Sequence, residues 1–300
     1  MNKNSYPLAL PDRNHLTSLL KRLMLMVPDK AFLSFNFRRK MKQSCCLKDP
    51  KTFNQKMQWL KIFDRKPFYT DLCDKIKAKI LVAQEIGQQH VLPTFAVYQK
   101  VSEIDISKLP DRFVLKCNHD CGSVTICRDK KTFDEKLAKK LLKARLKRNS
   151  YNGFREWPYK NIERKVFAEQ YMESEDGSSL IDYKFFCFNG EPKFLYVSQG
   201  LENHSTAAIS FFDLDGKRLN FKRSDFKAIQ NFKIPDNFGE LKEIASRLAK
   251  FSQSKFVRID LYTINGNIYF SEFTFFPCGG YLPFDPKEAD AEIGKMLSLK

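Results

Sequence analysis

The stretch VRIDLYTINGNIYFSEFTFFP, residues 257–277, carries one acidic residue in each of two segments that otherwise have the composition of β-strands. These residues are Asp260 and Glu272, and the turn between the segments is Asn265-Gly266. Asn-Gly between two apolar runs is a strong signal for a β-hairpin. The hairpin would bring the two carboxylates close together. A carboxylate in a half-buried strand is costly unless it is paired or holds a cation.

Two interpretations of this pair of carboxylates follow from their neighbours. Two carboxylates a few ångströms apart, with oxygen-rich side chains around them, suit Mg²⁺. Arg258 lies two residues before Asp260 and would supply a fixed cation for a phosphoryl group. Alternatively, Arg258, Asp260 and Glu272 form an ion-pair cluster that stabilises the hairpin. Taken alone, the hairpin favours the ion-pair cluster.

The composition is that of a soluble globular protein with a strongly basic surface. The chain has 300 residues, 43% of them hydrophobic, and 52 lysines and arginines against 35 acidic residues give a net charge of +17. Such a surface attracts phosphates, nucleic acid, acidic glycans or an anionic membrane. No nucleic-acid-binding motif accompanies the charge, so we expect no nucleic-acid partner.

The cysteines and the first residues indicate a cytoplasmic protein. None of the eight cysteines belongs to a Cys-x-x-Cys pair, so a zinc site is not expected. The chain begins without the basic, apolar and small-residue regions of a signal peptide, which predicts reduced thiols in the cytoplasm. No apolar run approaches the ~20 residues of a membrane span.

The order of the predicted elements indicates an α+β fold. Helices are predicted at 14–28, 49–65 and 72–87, and the second carries the apolar stripe of a core-facing helix, Phe53, Met57, Leu60 and Phe63. Strands and hairpins dominate the rest of the chain. The predicted strands lie at 91–99, 112–119, 125–129 and 164–172, the hairpin turns at Asn189-Gly190, Asp215-Gly216 and Asn265-Gly266, and the later helices at 131–148 and 238–252. This pattern argues against a doubly wound parallel sheet.

The stretch FVLKCNHDCGSVTICRD, residues 113–129, has features of a phosphate-binding loop. Lys116 lies in a predicted strand, and Gly122 would let backbone N–H groups approach phosphate oxygens, to which Ser123 adds a hydroxyl. His119 is a further candidate for a phosphate contact. The segment is not a Walker A loop, because Gly-Lys-Ser/Thr is absent. By itself, the Gly-Ser turn is weak evidence for phosphate binding, and a plain hairpin is the favoured interpretation.

Two other segments could contact a nucleotide. Lys75 and Lys79 lie four residues apart, on one face of a predicted helix. Around residues 169–184 a strand ends, an acidic loop follows, and a new strand starts in which Asp182 and Lys184 alternate inward. Strand-end backbone groups can bind an adenine edge, and an acid can bind ribose hydroxyls. The simpler alternatives are a solvated helix face and an acidic surface connector.

The order of these segments resembles the ATP-grasp superfamily of carboxylate–amine ligases. More narrowly, the chain resembles the TupA-like ATP-grasp group of bacterial surface-polysaccharide proteins. The sequence segments that carry this resemblance are DRKPFYTDLCDK, FVLKCNHDCGS, REWPYKN, DYKFFCFNGEPKF and VRIDLY. The resemblance runs from about residue 50 to 285. It implies an ATP-grasp fold that holds ATP between two α+β subdomains. The implied division is a helical region leading into the first strands (1–105), a lid subdomain (106–178) and a subdomain with the metal-binding strands (179–300).

The resemblance also implies roles for individual residues. Those that match the ATP-binding residues of the family are Lys79, Lys116, Gly122, Ser123, Glu169, Gln170, Tyr171, Met172 and Asp182. Those that match its Mg²⁺ ligands are Asp260, Glu272 and Thr274. Thr274 falls where many members have Asn, and a Thr hydroxyl is a weaker and shorter ligand. The implied catalytic residues, which stabilise charge during phosphoryl transfer, are Arg258, Lys116 and Lys184.

The implied cofactors are ATP and Mg²⁺, and the implied reaction forms an amide. A substrate carboxylate takes the γ-phosphoryl group of ATP to give an acylphosphate, which an amine then attacks, releasing ADP and phosphate as overall products. No protein nucleophile is required, which agrees with the lack of a Ser-His-Asp or Cys-His candidate. The group's setting implies a uronic acid or similar carboxylate of a capsule or O-antigen glycan, and an amino acid or other amine.

Two other functions compete with the ligase. Asp213-Leu214-Asp215 resembles the Asp-x-Asp of a glycosyltransferase, but Gly216 follows at once, which favours a hairpin turn. A non-catalytic, membrane-associated module is the other, and the basic start of the chain supports it through an apolar stripe. The residues of this stripe are Leu16, Leu19, Leu20, Leu23 and Met24. Packing of the stripe against the domain is the simpler interpretation, and a peripheral contact with the inner membrane stays open.

Overall fold

The computed structural model describes residues 26–173, 180–200, 207–230 and 232–300. Within these ranges the strands are β1 (Thr94–Tyr98), β2 (Phe113–Cys117), β3 (Thr125–Cys127), β4 (Val166–Gln170), β5 (Ile181–Phe188), β6 (Glu191–Gln199), β7 (Ala208–Phe212), β8 (Lys222–Arg223), β9 (Phe256–Ile264), β10 (Asn267–Thr274) and β11 (Phe284–Asp285). The helices are α1 (Asp29–Met41), α2 (Phe53–Phe63), α3 (Phe68–Cys73), α4 (Lys75–Ile86), α5 (Glu135–Leu146), α6 (Tyr151–Phe154), α7 (Phe238–Phe251) and α8 (Ala289–Lys295). The fold is therefore α+β, as predicted.

A four-stranded antiparallel sheet has the strand order β1-β4-β2-β3. In β2, Phe113, Leu115 and Cys117 belong to a buried cluster that includes Leu142 of α5. Because successive side chains of a strand point to opposite faces, Lys116 points away from this cluster. β1 lies before the predicted subdomain boundary at residue 105, yet it pairs with β4 in this sheet.

A five-stranded antiparallel sheet has the strand order β10-β9-β5-β6-β7. The amphipathic helix α7 covers one face with buried residues such as Leu241 and Leu248. On that face, the ring of Phe185 stacks with that of Phe238, with 6.3 Å between centroids. Alternation along β5 therefore turns Lys184 to the opposite face. The same face of this sheet also carries Asp260, which lies opposite Lys184 in the pairing of β5 with β9.

The described N-terminal helices lie where they were predicted, but one side chain predicted to be buried is exposed. α2 begins with a capping box in which Thr52 and Gln55 exchange side-chain and backbone hydrogen bonds. Phe53, Met57 and Leu60 are buried, but Phe63 is 48% exposed, so its place in the core stripe was wrong. It lies at the end of the helix, where its ring packs on Trp59 at 4.9 Å between centroids. The helix predicted at 14–28, with its apolar stripe, falls outside the described residues except for its last three.

The hairpin turns follow their sequence signals, with one exception. Asn189-Gly190 and Asn265-Gly266 both have positive φ at each residue, as a tight hairpin of this kind requires. At Asp215-Gly216 the turn is present, since Asp213 N–H donates to the carbonyl of Lys217 at 2.9 Å. In the described residues no strand after that turn pairs with β7, because β7 is joined to the chain beyond the turn by isolated bridges, Phe212 with Arg218 and Ala208 with Lys227. The second strand predicted there was therefore wrong.

None of the helices within the described ranges is long and apolar enough to cross a membrane.

Candidate functional site

A cavity of about 280 Å³ lies between the two sheets. β2, β4 and the loop after β2 form one wall, and β5, β9 and β10 form the other, with α4 at one side. Its lining includes eight of the predicted site residues: Lys79, Lys116, Gly122, Ser123, Glu169, Asp182, Lys184 and Glu272. Residues as far apart in the sequence as Lys79 and Glu272 thus meet around one space.

Glu169 holds together the two lysines predicted to bind ATP phosphates. Lys79 Nζ donates to Glu169 Oε2 at 2.8 Å, and Lys116 forms an ion pair with the other carboxylate oxygen. Burial acts to raise the pKa of Glu169, but the ammonium groups of Lys116 and Lys79 outweigh it and hold the pKa below its ordinary value. Glu169 begins the segment predicted to meet adenine, and its carboxylate faces the two lysines.

Asp260 is the centre of a buried ion-pair cluster on the opposite wall. Its carboxylate is 0% exposed and accepts two hydrogen bonds from Arg258, Nε to Oδ1 and Nη2 to Oδ2, each 2.6 Å long. Lys184 Nζ donates to the same Oδ2 at 2.9 Å and lies 3.5 Å from Asp182. The hydroxyl of Tyr196 accepts a further hydrogen bond from Arg258 at 3.0 Å. Both predicted catalytic cations on this wall are therefore held by one carboxylate.

Glu272 lies beside this cluster and faces the cavity. It pairs with Asp260 across β9 and β10, and its Oε2 is 3.4 Å from Lys75 Nζ. Its Oε1 accepts a hydrogen bond from the Thr274 hydroxyl at 3.3 Å and lies 3.8 Å from Arg258 Nη2. Burial acts to raise the pKa of Glu272, but Lys75 and Arg258 outweigh it and lower the pKa to about 2.

The three predicted Mg²⁺ ligands do not offer an open coordination sphere in this arrangement. Both oxygens of Asp260 are engaged by Arg258 and Lys184, and the Thr274 hydroxyl lies between Arg258 and Glu272. Across the described ranges, no three or more His, Cys, Asp or Glu side chains form a group that could hold a metal ion. As arranged here, these residues do not fit Mg²⁺, because a metal on Asp260 would have to displace a cation.

The loop after β2 places a glycine, but not a free hydroxyl, at the cavity. Gly122 has a φ of +81°, and a Cβ at this position would meet no atom within 4 Å, so its backbone is open. The Ser123 hydroxyl donates to the Asp120 carboxylate and accepts from Cys117 N–H at 3.0 Å. The Ser123 hydroxyl therefore stabilises the conformation of the loop. His119 is buried against the carbonyl of Arg148, 3.1 Å away, and does not line the cavity.

The segment predicted to meet adenine lies at the apolar end of the cavity. Met172 packs against Leu92 and Tyr262, both of which line the cavity. Gln170 N–H donates to the carbonyl of Pro93 at 3.0 Å, which ties β4 to the start of β1. Tyr171 turns aside, and its hydroxyl accepts a hydrogen bond from Arg128 at 2.8 Å. An aromatic ring can stack on this apolar surface, so the segment suits one side of an adenine slot.

Residues 55–298 match the model of the TupA-like ATP-grasp family. The chain belongs to the TupA-like ATP-grasp family. The match covers more than half of the 300 residues, and it includes both sheets and all of the lysines and acids described above. The fold of this TupA-like ATP-grasp protein is accordingly the ATP-grasp fold.

Solved structures of other ATP-grasp proteins are distant from this TupA-like chain. The D-alanine–D-alanine ligase from Bacillus anthracis is 19% identical, with 68% of this chain and 57% of that chain covered and a TM-score of 0.39. The ATP-grasp ligase PsnB, complexed with a precursor variant, Mg and ADP, is 10% identical, with 89% and 67% covered and a TM-score of 0.42. The L-amino acid ligase from Bacillus licheniformis is 16% identical, with 73% and 47% covered and a TM-score of 0.40.

The chain spans just over half of the D-alanine–D-alanine ligase and just under half of the L-amino acid ligase. A search of curated proteins gave no match. Family membership therefore rests on the family model.

Sequence reasoning singled out most of these residues but missed some of their partners. Lys75 was considered only as a neighbour of Lys79, and its contact with Glu272 joins α4 to β10. Tyr196, the partner of Arg258, lies on β6 and had no signal of its own in the sequence. The i,i+4 spacing of Lys75 and Lys79 was the one available hint, because it places both ammonium groups on one face of α4.

Proposed function

We propose that this protein is an ATP-dependent carboxylate–amine ligase that forms an amide through an acylphosphate. The observation that carries the proposal is the convergence of four lysines on one cavity between the sheets, Lys75, Lys79, Lys116 and Lys184. Converging cations in a partly enclosed site suit a polyphosphate and the charge that develops during phosphoryl transfer. Membership of the ATP-grasp family supports ATP as that polyphosphate.

The two walls would have different tasks in this reaction. Lys79 and Lys116, held by Glu169, would bind phosphate oxygens of ATP at the lid sheet. Arg258 and Lys184, held by Asp260, would face the γ-phosphoryl group and the substrate carboxylate. Because these cations are already oriented by buried acids, little reorganisation is needed when charge moves to the transferred group. Mg²⁺ is proposed to accompany ATP, where it would neutralise phosphate charge.

We further propose a uronic acid or similar carboxylate of a capsule or O-antigen glycan as one substrate, and an amino acid or other amine as the second. The net charge of +17 supports an anionic acceptor. It also supports a peripheral contact with the anionic inner face of a membrane, in a cytoplasmic protein. The glycosyltransferase alternative gains no support, because the Asp213 carboxylate caps its own turn through the N–H groups of Asp215 and Lys217.

ADP release across pools of carboxylates and amines tests the ligase. The expected result is ADP formation that depends on a carboxylate, with a product whose mass equals the two substrates minus water. Uronic acids are the first carboxylates to try, because they also test the proposed acceptor. Transfer of a sugar from a nucleotide sugar without ADP formation would overturn the proposal.

A further inference from the structure

A second cavity, the edge cavity, of about 470 Å³, lies at the end of β7, an edge strand of the large sheet. Its lining residues are Phe212, Gly216, Arg218, Gln230, Phe232 and Lys233. Phe212 pairs with Leu195 of β6, which in turn pairs with Phe185 of β5. Side chains directly opposite one another on neighbouring strands point to the same face, so Phe212 lies on the α7 face with Phe185. The cavity between the sheets lies on the other face, with Lys184, so the large sheet separates the two cavities.

Arg218 is held at the edge cavity by uncharged groups. Its Nη1 donates to the Ser210 hydroxyl at 2.8 Å, and its Nη2 donates to the carbonyl of Ile229. The guanidinium carbon lies 5.5 Å from the centroid of the Phe212 ring. These contacts fix the orientation of the guanidinium group while using two of its five N–H donors. Three donors and the positive charge remain for a ligand.

No acid lines the edge cavity beside its two cations. The lining includes Arg218 and Lys233 but neither Asp nor Glu. In the part of the chain that the structure describes, neither cation forms an ion pair, and the side-chain amide of Gln230 forms no hydrogen bond. In the cavity between the sheets, by contrast, each lysine lies against a carboxylate. Two like charges that line one cavity repel each other, and a bound anion would offset this repulsion.

The remaining lining of the edge cavity is aromatic and amide. The rings of Phe212 and Phe232 pack at 4.5 Å between centroids, and Phe232 is only half-buried, so part of its ring is open to a ligand. The amide of Gln230 can donate to one hydroxyl group and accept from another. Because Arg218, Gln230 and Lys233 are exposed, the cavity is open to water on one side. The ligand that fits therefore combines an acid, hydroxyl groups and an apolar face.

A sugar acid carries these three features on one rigid ring. We propose that the edge cavity binds an acidic sugar residue of a glycan, with its carboxylate between Arg218 and Lys233 and its C–H face on the ring of Phe232. The planar fork of an arginine matches a carboxylate through two parallel hydrogen bonds. A sugar bound here lies across the large sheet from the proposed ATP site and takes no part in phosphoryl transfer. The site would instead retain an acidic glycan on the protein, and it stands independently of the proposed ligase activity.

Photocross-linking locates such a ligand directly. A photoreactive derivative of D-glucuronate would be cross-linked to the full chain, and the labelled peptides would be identified by mass analysis. We expect label on the peptides that contain Phe212 and Phe232, with D-glucuronate competing at least ~10-fold better than D-glucose, because only the acid can use the two cations. Lys233→Gln and Arg218→Gln should each reduce this labelling at least ~5-fold. Lys227→Gln is the matched control, since that lysine is exposed and outside the lining, and a screened charge should change the labelling less than ~2-fold.

Three outcomes would overturn the acidic-sugar site. They are label confined to peptides of the cavity between the sheets, labelling that persists in Lys233→Gln, whose exposed side chain can be replaced without disturbing the core, and competition by inorganic phosphate as strong as that by D-glucuronate. ADP release with monomeric carboxylates, measured on the same samples, separates this inference from the proposed function. It should stay within ~2-fold of wild type in Lys233→Gln, because effects at distant sites are independent. Labelled wild type that releases no ADP would overturn the ligase and leave the edge site in place.

Discussion

A single buried carboxylate, Asp260, organises one wall of the cavity. It receives Arg258 through two hydrogen bonds and Lys184 through a third, so both cations are fixed before any ligand arrives. Removing one member of such a buried network leaves charges unbalanced in a site that water reaches poorly. The same logic applies to Glu169, which holds Lys79 and Lys116 on the other wall. Each wall therefore depends on one acid for the position of two cations.

Asp260→Asn tests this dependence. We expect turnover, measured as ADP release per folded protein, to fall at least ~100-fold, because Arg258 and Lys184 lose the charge that orients them. Circular dichroism and urea unfolding report the folded fraction. Asp285→Asn is the control, since that acid is exposed and forms an ion pair with the exposed Lys222 at 3.3 Å. Near wild-type turnover in folded Asp260→Asn would contradict the assignment.

Lys116→Ala tests whether ATP affinity depends on this one fixed lysine or on the overall basic charge of the protein. A hydrogen bond to a charged group is worth ~1.5–3 kcal/mol, so losing one to an ATP phosphate should weaken ATP binding more than ~10-fold. The control is the double variant Lys139→Ala and Lys140→Ala on α5, where Lys139 forms an ion pair with Glu135 of the same helix. Screened surface charges of this kind should change the affinity less than ~3-fold at physiological salt. Equal losses in the two proteins, measured by calorimetry, would mean that ATP is attracted diffusely.

At the scale of elements, α4 connects the two walls. Its first residue, Lys75, contacts Glu272 of β10, and Lys79, one turn later, contacts Glu169 of β4. Asp74 caps the helix by accepting hydrogen bonds from the N–H groups of Ile76 and Lys77, at 3.0 and 3.5 Å. The position of both lysines therefore depends on how this helix begins.

Asp74→Ala is expected to cost about 1 kcal/mol of unfolding free energy, the usual value of a helix N-cap. It should also weaken ATP binding, because the first turn of α4 carries Lys75. Asp134→Ala is a matched control, since Asp134 caps α5 through Leu137 N–H at 2.8 Å and α5 contributes no lysine to the cavity. Urea unfolding should show similar losses in both variants, and calorimetry should show weaker ATP binding only in Asp74→Ala. Weaker ATP binding in both would disprove a specific role of α4.

For the whole molecule, the main feature is a ligand cavity between two sheets, each with its own core. The small sheet packs on α5, and the large sheet packs on α7 and α2. The loop through Gly122 lies at the mouth between them, and its open backbone leaves room for it to move toward a ligand. A ligand that contacts both walls should hold the two sheets together.

ATP with Mg²⁺ is accordingly expected to raise the melting temperature, because a ligand that binds only the folded state stabilises it by mass action. The same ligand should slow proteolysis near Gly122, since a loop that closes over phosphates loses its mobility. Differential scanning calorimetry and limited proteolysis with mass analysis of the fragments measure the two effects. If UDP-sugars stabilise the protein and ATP does not, the glycosyltransferase alternative becomes the better one.

The sequence by itself determined the α+β class, most of the strands and helices, and the family. These depend on local information, since period-2 and period-3.6 patterns, Asn-Gly turns and Gly87 at the end of α4 act over a few residues. The charged residues of the site were also recognisable, because acids and lysines within apolar strands stand out by residue type. Local patterns were least reliable at the ends of elements. Phe63 at the end of α2 is exposed, and in the described residues no strand after Gly216 completes a hairpin with β7.

Only the tertiary structure decided which acid holds which cation. Glu169 meets the lysines because β4 lies between β1 and β2, and Glu272 meets Lys75 because α4 packs against β10. Pairings between distant segments depend on how sheets and helices pack, and the local periodicity that identifies each segment carries no information about its partner.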